Sequence, residues 1–171
     1  MFLRVSTRIL IIGNSGAGKS SLAGKLADLL KMPAIDLDRL HWEDDRYGRK
    51  RAEGEARELA KAAATPPDWI IEGVYGWLAE AVIPRTTDLV WLDLPWAVCR
   101  AGLLARKASR GQSTPDSLRL LDWAEAYWER QTPSSFAGHA RIFENFMGSK
   151  FRLRRRSEID AVVDRLCGGK V

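Results

Sequence analysis

Cysteine and histidine are scarce in this 171-residue chain, with two of each: Cys99, Cys167, His41 and His139. The cysteines stand far apart, and no Cys or His partner lies at metal-site spacing. That argues against a zinc site and against a disulfide framework, and points to reduced thiols in a cytoplasmic protein. The histidines have no ligand partner and no nucleophile beside them, so both read as structural or surface residues. Long apolar runs are also missing. No stretch approaches the roughly 20 residues of a membrane span. Met1 to Gly13 lacks the long apolar region and cleavage site of a secretory signal. The expected location is cytoplasmic, with no membrane partner. No internal repeat, low-complexity tract or linker divides the sequence, so residues 1–171 read as a single domain.

What is present is ordinary for a soluble globular protein: 46% apolar and 29% charged residues. A net charge of +5 favours anionic partners, whether nucleotides, nucleic acid or a membrane surface, without separating them.

Short apolar runs alternate with helical patterns. Arg8 to Ile12 reads as a buried strand ending at Gly13, and Ser20 to Lys31 as an amphipathic helix stopped at Met32-Pro33. Pro33 to Leu37, Trp69 to Glu72, Leu89 to Leu92 and Phe151 to Leu153 read as further strands. Helices are expected over 52–64, 77–82, 96–108, 117–130 and 139–146, with a last one from Ser157, as N-cap, to Leu166. This order predicts an α/β fold with a parallel sheet covered on both faces.

Gly13-Asn14-Ser15-Gly16-Ala17-Gly18-Lys19-Ser20 has the spacing of a phosphate loop and sits where the mechanism needs it, after a strand and opening a helix. The glycines let successive N–H groups turn toward phosphate oxygens, and the helix adds its positive end. Lys19 is placed to reach the β- and γ-phosphates, and the Ser20 hydroxyl is a hard ligand for Mg²⁺. The expected ligands are ATP and Mg²⁺, with Gly13, Asn14, Ser15, Gly16, Ala17, Gly18, Lys19, Ser20 and Ser21 as the nucleotide-binding residues. No Asn-Lys-x-Asp motif is present, which disfavours GTP.

Asp36, Asp38, Glu72 and Asp93 stand at or near strand ends, the edge where open parallel sheets bind ligands. Asp38 is the better candidate to orient or deprotonate an acceptor. Asp36 or Glu72 suits the magnesium water shell, and Asp93 reads as structural. Arg106 and Arg110, four apart at a helix end, share a side and could neutralise transferring phosphate. Residues 107–115 are the best candidate for a mobile lid. Trp69 and Trp91 read as core, while Trp42 could line an acceptor pocket. The run Lys150 to Arg156 is either a nucleic-acid contact or a final strand with Phe151 and Leu153 inward. In the second case its arginines lie in solvent or near the nucleotide base.

Taken in order, the phosphate loop, Ile35-Asp36-Leu37-Asp38-Arg39-Leu40-His41-Trp42, Trp69-Ile70-Ile71-Glu72-Gly73-Val74-Tyr75 and Val90-Trp91-Leu92-Asp93-Leu94-Pro95 resemble the P-loop kinase-like family known as topology modulation protein FlaR. That group is similar to adenylate kinase and shikimate kinase. The resemblance runs from about Arg8 to Leu166. It implies a P-loop three-layer sandwich with a five-stranded parallel sheet, nucleoside-monophosphate-kinase-like, with a short lid. It also implies an acceptor-binding insertion at about 38–66, a lid at about 106–116, and lid-arginine roles for Arg106 and Arg110. The group carries Asp-Gly-Asn-Tyr where this chain has Glu72-Gly73-Val74-Tyr75. It has Pro-Arg where this chain has Pro95-Trp96, and an arginine before Pro-Asp where Thr114 stands.

The expected function is a small kinase moving the γ-phosphoryl of ATP to a nucleotide or small-molecule acceptor, with Lys19, Asp38, Arg106 and Arg110 as catalytic residues and Ser20, Asp36 and Glu72 at the metal. The alternative is a nucleotide-binding regulator that contacts DNA through its basic C-terminal run.

Overall fold

Four consecutive apolar residues, Ile9 to Ile12, are fully buried and divide their side chains between two cores. A strand sends alternate side chains to opposite faces. Ile9 and Ile11 therefore join one cluster, and Leu10 and Ile12 the other. A strand apolar on both faces belongs in the middle of a covered sheet, and that is where it lies.

The computed structural model describes residues 6–43, 49–110 and 115–168, with side chains over the same ranges except 109–110 and 115–117. Five strands form one parallel sheet: β1 (Arg8–Gly13), β2 (Ala34–Asp36), β3 (Trp69–Gly73), β4 (Asp88–Leu92) and β5 (Ser149–Leu153). Their order is β2-β3-β1-β4-β5. The helices are α1 (Lys19–Leu30), α2 (Leu37–His41), α3 (Glu53–Ala63), α4 (Gly76–Val82), α5 (Trp96–Arg110), α6 (Pro115–Glu125), α7 (Phe136–Asn145) and α8 (Ile159–Gly168). Residues of α1, α5 and α8 pack on Ile9, Ile11, Val90 and Leu153. Those of α3, α4 and α7 pack on Leu10, Ile12, Ile71 and Trp91. The result is a three-layer α/β sandwich of the nucleoside-monophosphate-kinase type. The expected lid, 106–116, takes in the end of α5 and the start of α6, and its middle, 111–114, lies outside the described residues.

Three local expectations need correction. The second strand ends at Asp36 rather than Leu37, because the Asp36 carboxylate accepts the Asp38 N–H at 2.8 Å and caps α2. Asp36 and Asp38 thus do not share a strand face. Ser157 does not cap the last helix. A 3₁₀ turn, Arg156–Glu158, comes first, and the Glu158 carboxylate takes the N–H groups of Arg154 and Arg155 at 2.7 and 2.9 Å. Ser157 lies inside that turn and so does not stand at the cap position. In β5, Leu153 faces inward as expected, but Arg152 is not in solvent. Its guanidinium lies 4.2 Å over the Trp91 ring and donates twice to Asp93, at 2.9 and 2.8 Å.

Candidate active site

The phosphate loop joins β1 to α1 and owes its shape to contacts with α5. Gly16 has φ +80°, and a β-carbon there would stand 2.1 Å from the Cys99 carbonyl oxygen. Gly102 meets the loop from the other side, where a β-carbon would lie 2.3 Å from the Gly16 oxygen. Gly18, in the left-handed region at φ +94°, is the N-cap of α1 and makes no side-chain cap bond. The first turn of α1 carries no acidic residue. Its N–H groups and positive dipole end are thus left for an anion.

Lys19 is 6% exposed and donates to the Asn14 carbonyl at 3.1 Å. Its ammonium is folded onto the loop it is expected to close. Ser20 and Ser21 are exposed. The Asn14 side chain is committed to the protein: its amide donates to the Ala124 carbonyl at 2.8 Å, and its oxygen accepts the Ser15 N–H at 2.8 Å. A nucleotide contact at Asn14 therefore falls to its main chain.

The sheet register brings the carboxylates to the same edge. Asp36 pairs with Glu72 across β2 and β3, and Glu72 with Ile11 across β3 and β1. The Ser20 hydroxyl donates to Glu72 at 2.5 Å, so the strand-end carboxylate touches the phosphate loop. Burial raises the Glu72 pKa, opposed by Lys19, by the Ser20 hydrogen bond and by the charge of Arg106. Asp38 sits at the start of α2, and its carboxylate accepts the Val74 N–H at 2.9 Å. Burial, reinforced by the charges of Asp36 and Glu72, pushes its pKa up to about 7 against the pull of Lys19 and the Val74 hydrogen bond. A β-carbon on Gly73 would come within 3.0 Å of Asp38 Oδ1, so glycine keeps this approach open.

An aromatic wall stands beside Asp38. His41 packs on Tyr75 at 4.3 Å and on Trp42 at 4.7 Å, and Tyr75 meets Trp123 of α6 at 6.2 Å. Trp42 is thus part of this wall. Trp69 and Trp91 are fully buried, as core residues should be. Asp93 serves Arg152, with Arg154 at 3.8 Å, and is structural. Arg106 is exposed on α5, its charge felt at Glu72. The Arg110 side chain lies outside the described residues.

Sequence reading missed the Val74 N–H, the placement of Trp123, and the pair Tyr127 and His139. No local pattern marks any of them, because each acquires its partner only through tertiary approach. Both cysteines are free thiols. Burial raises the Cys99 pKa to about 11 and so keeps its thiol protonated. No helix among the described residues is long and apolar enough to cross a membrane.

Among the described residues, no group of three or more His, Cys, Asp and Glu side chains could hold a metal unaided. Magnesium at a nucleotide keeps several waters and takes one or two protein oxygens besides the phosphates. The Ser20 and Glu72 pair, hard oxygen donors 2.5 Å apart at the loop, fits that need.

No family model and no curated protein sequence matches the chain. Solved structures do. A shikimate kinase from Bacteroides thetaiotaomicron superposes with a TM-score of 0.59 at 22% identity, covering 94% of this chain and 96% of its own. A gluconokinase from Sinorhizobium meliloti 1021 gives 0.57 at 17% identity, covering 98% and 93%. A sugar kinase from a Janibacter species gives 0.53 at 18% identity, covering 94% and 91%. At these identities the likeness is one of fold.

Proposed function

We propose that the chain is an ATP-dependent phosphotransferase, a small kinase that moves the γ-phosphoryl of ATP to a hydroxyl of a nucleotide or other small-molecule acceptor. One observation carries the reading: the phosphate-loop residues Lys19 and Ser20 share the carboxyl edge of the sheet with two raised-pKa carboxylates, Glu72 on Ser20 and Asp38 on the Val74 N–H. A structural ion pair would not explain carboxylates held beside an anion-binding loop. A site that must hold a metal and steer a hydroxyl proton would.

In this reading the main-chain N–H groups of residues 13–21 cradle the phosphates, and Lys19 swings from the Asn14 carbonyl onto the β- and γ-phosphates. Ser20 and Glu72, with Asp36 near them, would hold Mg²⁺. When bound, that ion neutralises phosphate charge. Asp38 takes the acceptor proton, and its pKa near 7 suits a base working at neutral pH. The segment 38–66 binds the acceptor, with Trp42 and Tyr75 as walls. The segment 106–116 closes over the phosphates and brings Arg106 and Arg110 to the developing charge. The likeness in fold to sugar and shikimate kinases and the resemblance to the FlaR family support the reading.

A second reading, a nucleotide-binding regulator on DNA, is favoured only by the exposed Arg154, Arg155 and Arg156. Calorimetry with magnesium-ATP and an acceptor screen over nucleotides, nucleosides, sugars and hydroxy acids tests the first. Binding with Lys19-dependent product supports it. Turnover equal in Lys19→Ala, or no product from any acceptor class, defeats it. Salt-dependent DNA binding lost on changing all three arginines to Ala would support the second.

A further inference from the structure

His139 is fully buried, yet all its polar atoms are satisfied along one line of hydrogen bonds. The Trp91 indole N–H donates to the Tyr127 hydroxyl oxygen at 3.3 Å. Tyr127 and His139 Nδ1 are 2.7 Å apart, and His139 Nε2 lies 3.0 Å from the Val74 carbonyl. A carbonyl can only accept, so Nε2 carries the ring proton, and Nδ1 accepts the Tyr127 hydroxyl proton. Across the Val74 α-carbon, the Val74 N–H donates to Asp38. The next residue, Tyr75, packs on His41. The following peptide is held too, Gly76 N–H donating to the Ser134 hydroxyl at 3.2 Å.

We propose that His139 is a positioning residue for phosphoryl transfer. Locked by Tyr127, it clamps the Val74 carbonyl and so holds the Val74 N–H on Asp38 and the Tyr75 ring against the acceptor. This rests on the role given to Asp38 above. A packing role alone would be met by a leucine of similar volume, which carries no desolvation cost. Burial opposes protonation of the imidazole and outweighs the Val74 hydrogen bond, which favours it; the charges of Lys19 and Arg130 add to the burial effect, so the ring stays a neutral donor.

The test combines nitrogen NMR of the full chain, amide exchange at Val74, and hydrolysis of magnesium-ATP with water as acceptor. The wild-type ring should be neutral and Nε2-protonated from pH 5 to 9. His139→Leu should speed Val74 exchange about tenfold and lower kcat about tenfold, with KM for magnesium-ATP changed less than about twofold. His139→Gln, whose amide can donate to the same carbonyl, should restore both to within about threefold. Tyr127→Phe, which unlocks the ring without removing it, should move both in the same direction and decides the matter if His139→Leu does not fold. An Nδ1-protonated or cationic ring, unchanged Val74 exchange, unchanged kcat, or a glutamine variant no better than leucine would overturn the proposal. If neither hydrolysis nor transfer to any acceptor of the screen depends on Lys19, the kinase reading falls and takes the positioning role with it. That failure is distinguishable, because Val74 exchange would still respond to His139→Leu.

Discussion

Gly16 and Cys99 approach so closely that a β-carbon on the glycine would lie 2.1 Å from the cysteine carbonyl oxygen. The phosphate loop is therefore shaped by α5 as much as by its own sequence. Gly16→Ala should cost about 2–4 kcal/mol, combining a backbone clash with a left-handed φ of +80°. Chemical denaturation would read this as a lowered midpoint. Gly24→Ala, with nothing within 4 Å of the new carbon, is the control and should not lower it.

Glu72→Gln keeps a hydrogen-bond acceptor for Ser20 and removes the charge. Magnesium-dependent turnover should fall by about 10- to 100-fold, in line with the loss of a metal-site support. The folded state should not be weakened at pH 8, since burial already disfavours the ionised Glu72. Thermal melts beside turnover assays would show whether the two effects separate. A large drop in melting temperature with unchanged magnesium dependence would contradict the assignment.

The sequence carried the frame of this site but not its inner supports. Ile9 to Ile12 announce a central strand because both faces are apolar, and the glycine spacing at 13–18 marks an anion loop whatever surrounds it. Asp36 was legible as a strand-end acid but not as a cap, because a cap depends on where the chain turns. Arg152 looked like one of several surface arginines, since only the folded sheet places it over Trp91 and beside Asp93. His139 lies 65 positions from Val74 and 12 from Tyr127. No periodicity links residues so separated; the packing of α7 against α4, β1 and β4 brings them together.

His139 also sets a pH dependence of stability. Its pKa is lowered to about 3 by burial, against an ordinary value of 6.5. Between those values the unfolded chain binds the proton and the folded chain does not. Its stabilising contribution is thus full above about pH 6.5 and is lost as pH falls toward 3. Each unit is worth about 1.4 kcal/mol, so the loss reaches a few kcal/mol. Urea titrations at pH 7 and pH 4.5 should show this drop in the wild type and a smaller one in His139→Gln. Equal drops would assign the acid sensitivity to other groups.

Arg152→Ala should destabilise the protein by about 2–3 kcal/mol, because Asp93 would keep only the longer Arg154 contact and Trp91 would lose its stacked cation. Asp93→Asn in the same background should recover part of that loss. A double-mutant cycle without coupling between the two positions would show that the pair contributes nothing.

Asn14 hydrogen-bonds across 110 positions of chain to the Ala124 carbonyl, next to Trp123. One side chain thereby ties the phosphate loop to the helix that carries Trp123, whose ring meets Tyr75. On the proposed function, magnesium-ATP and the acceptor should then not bind independently of each other.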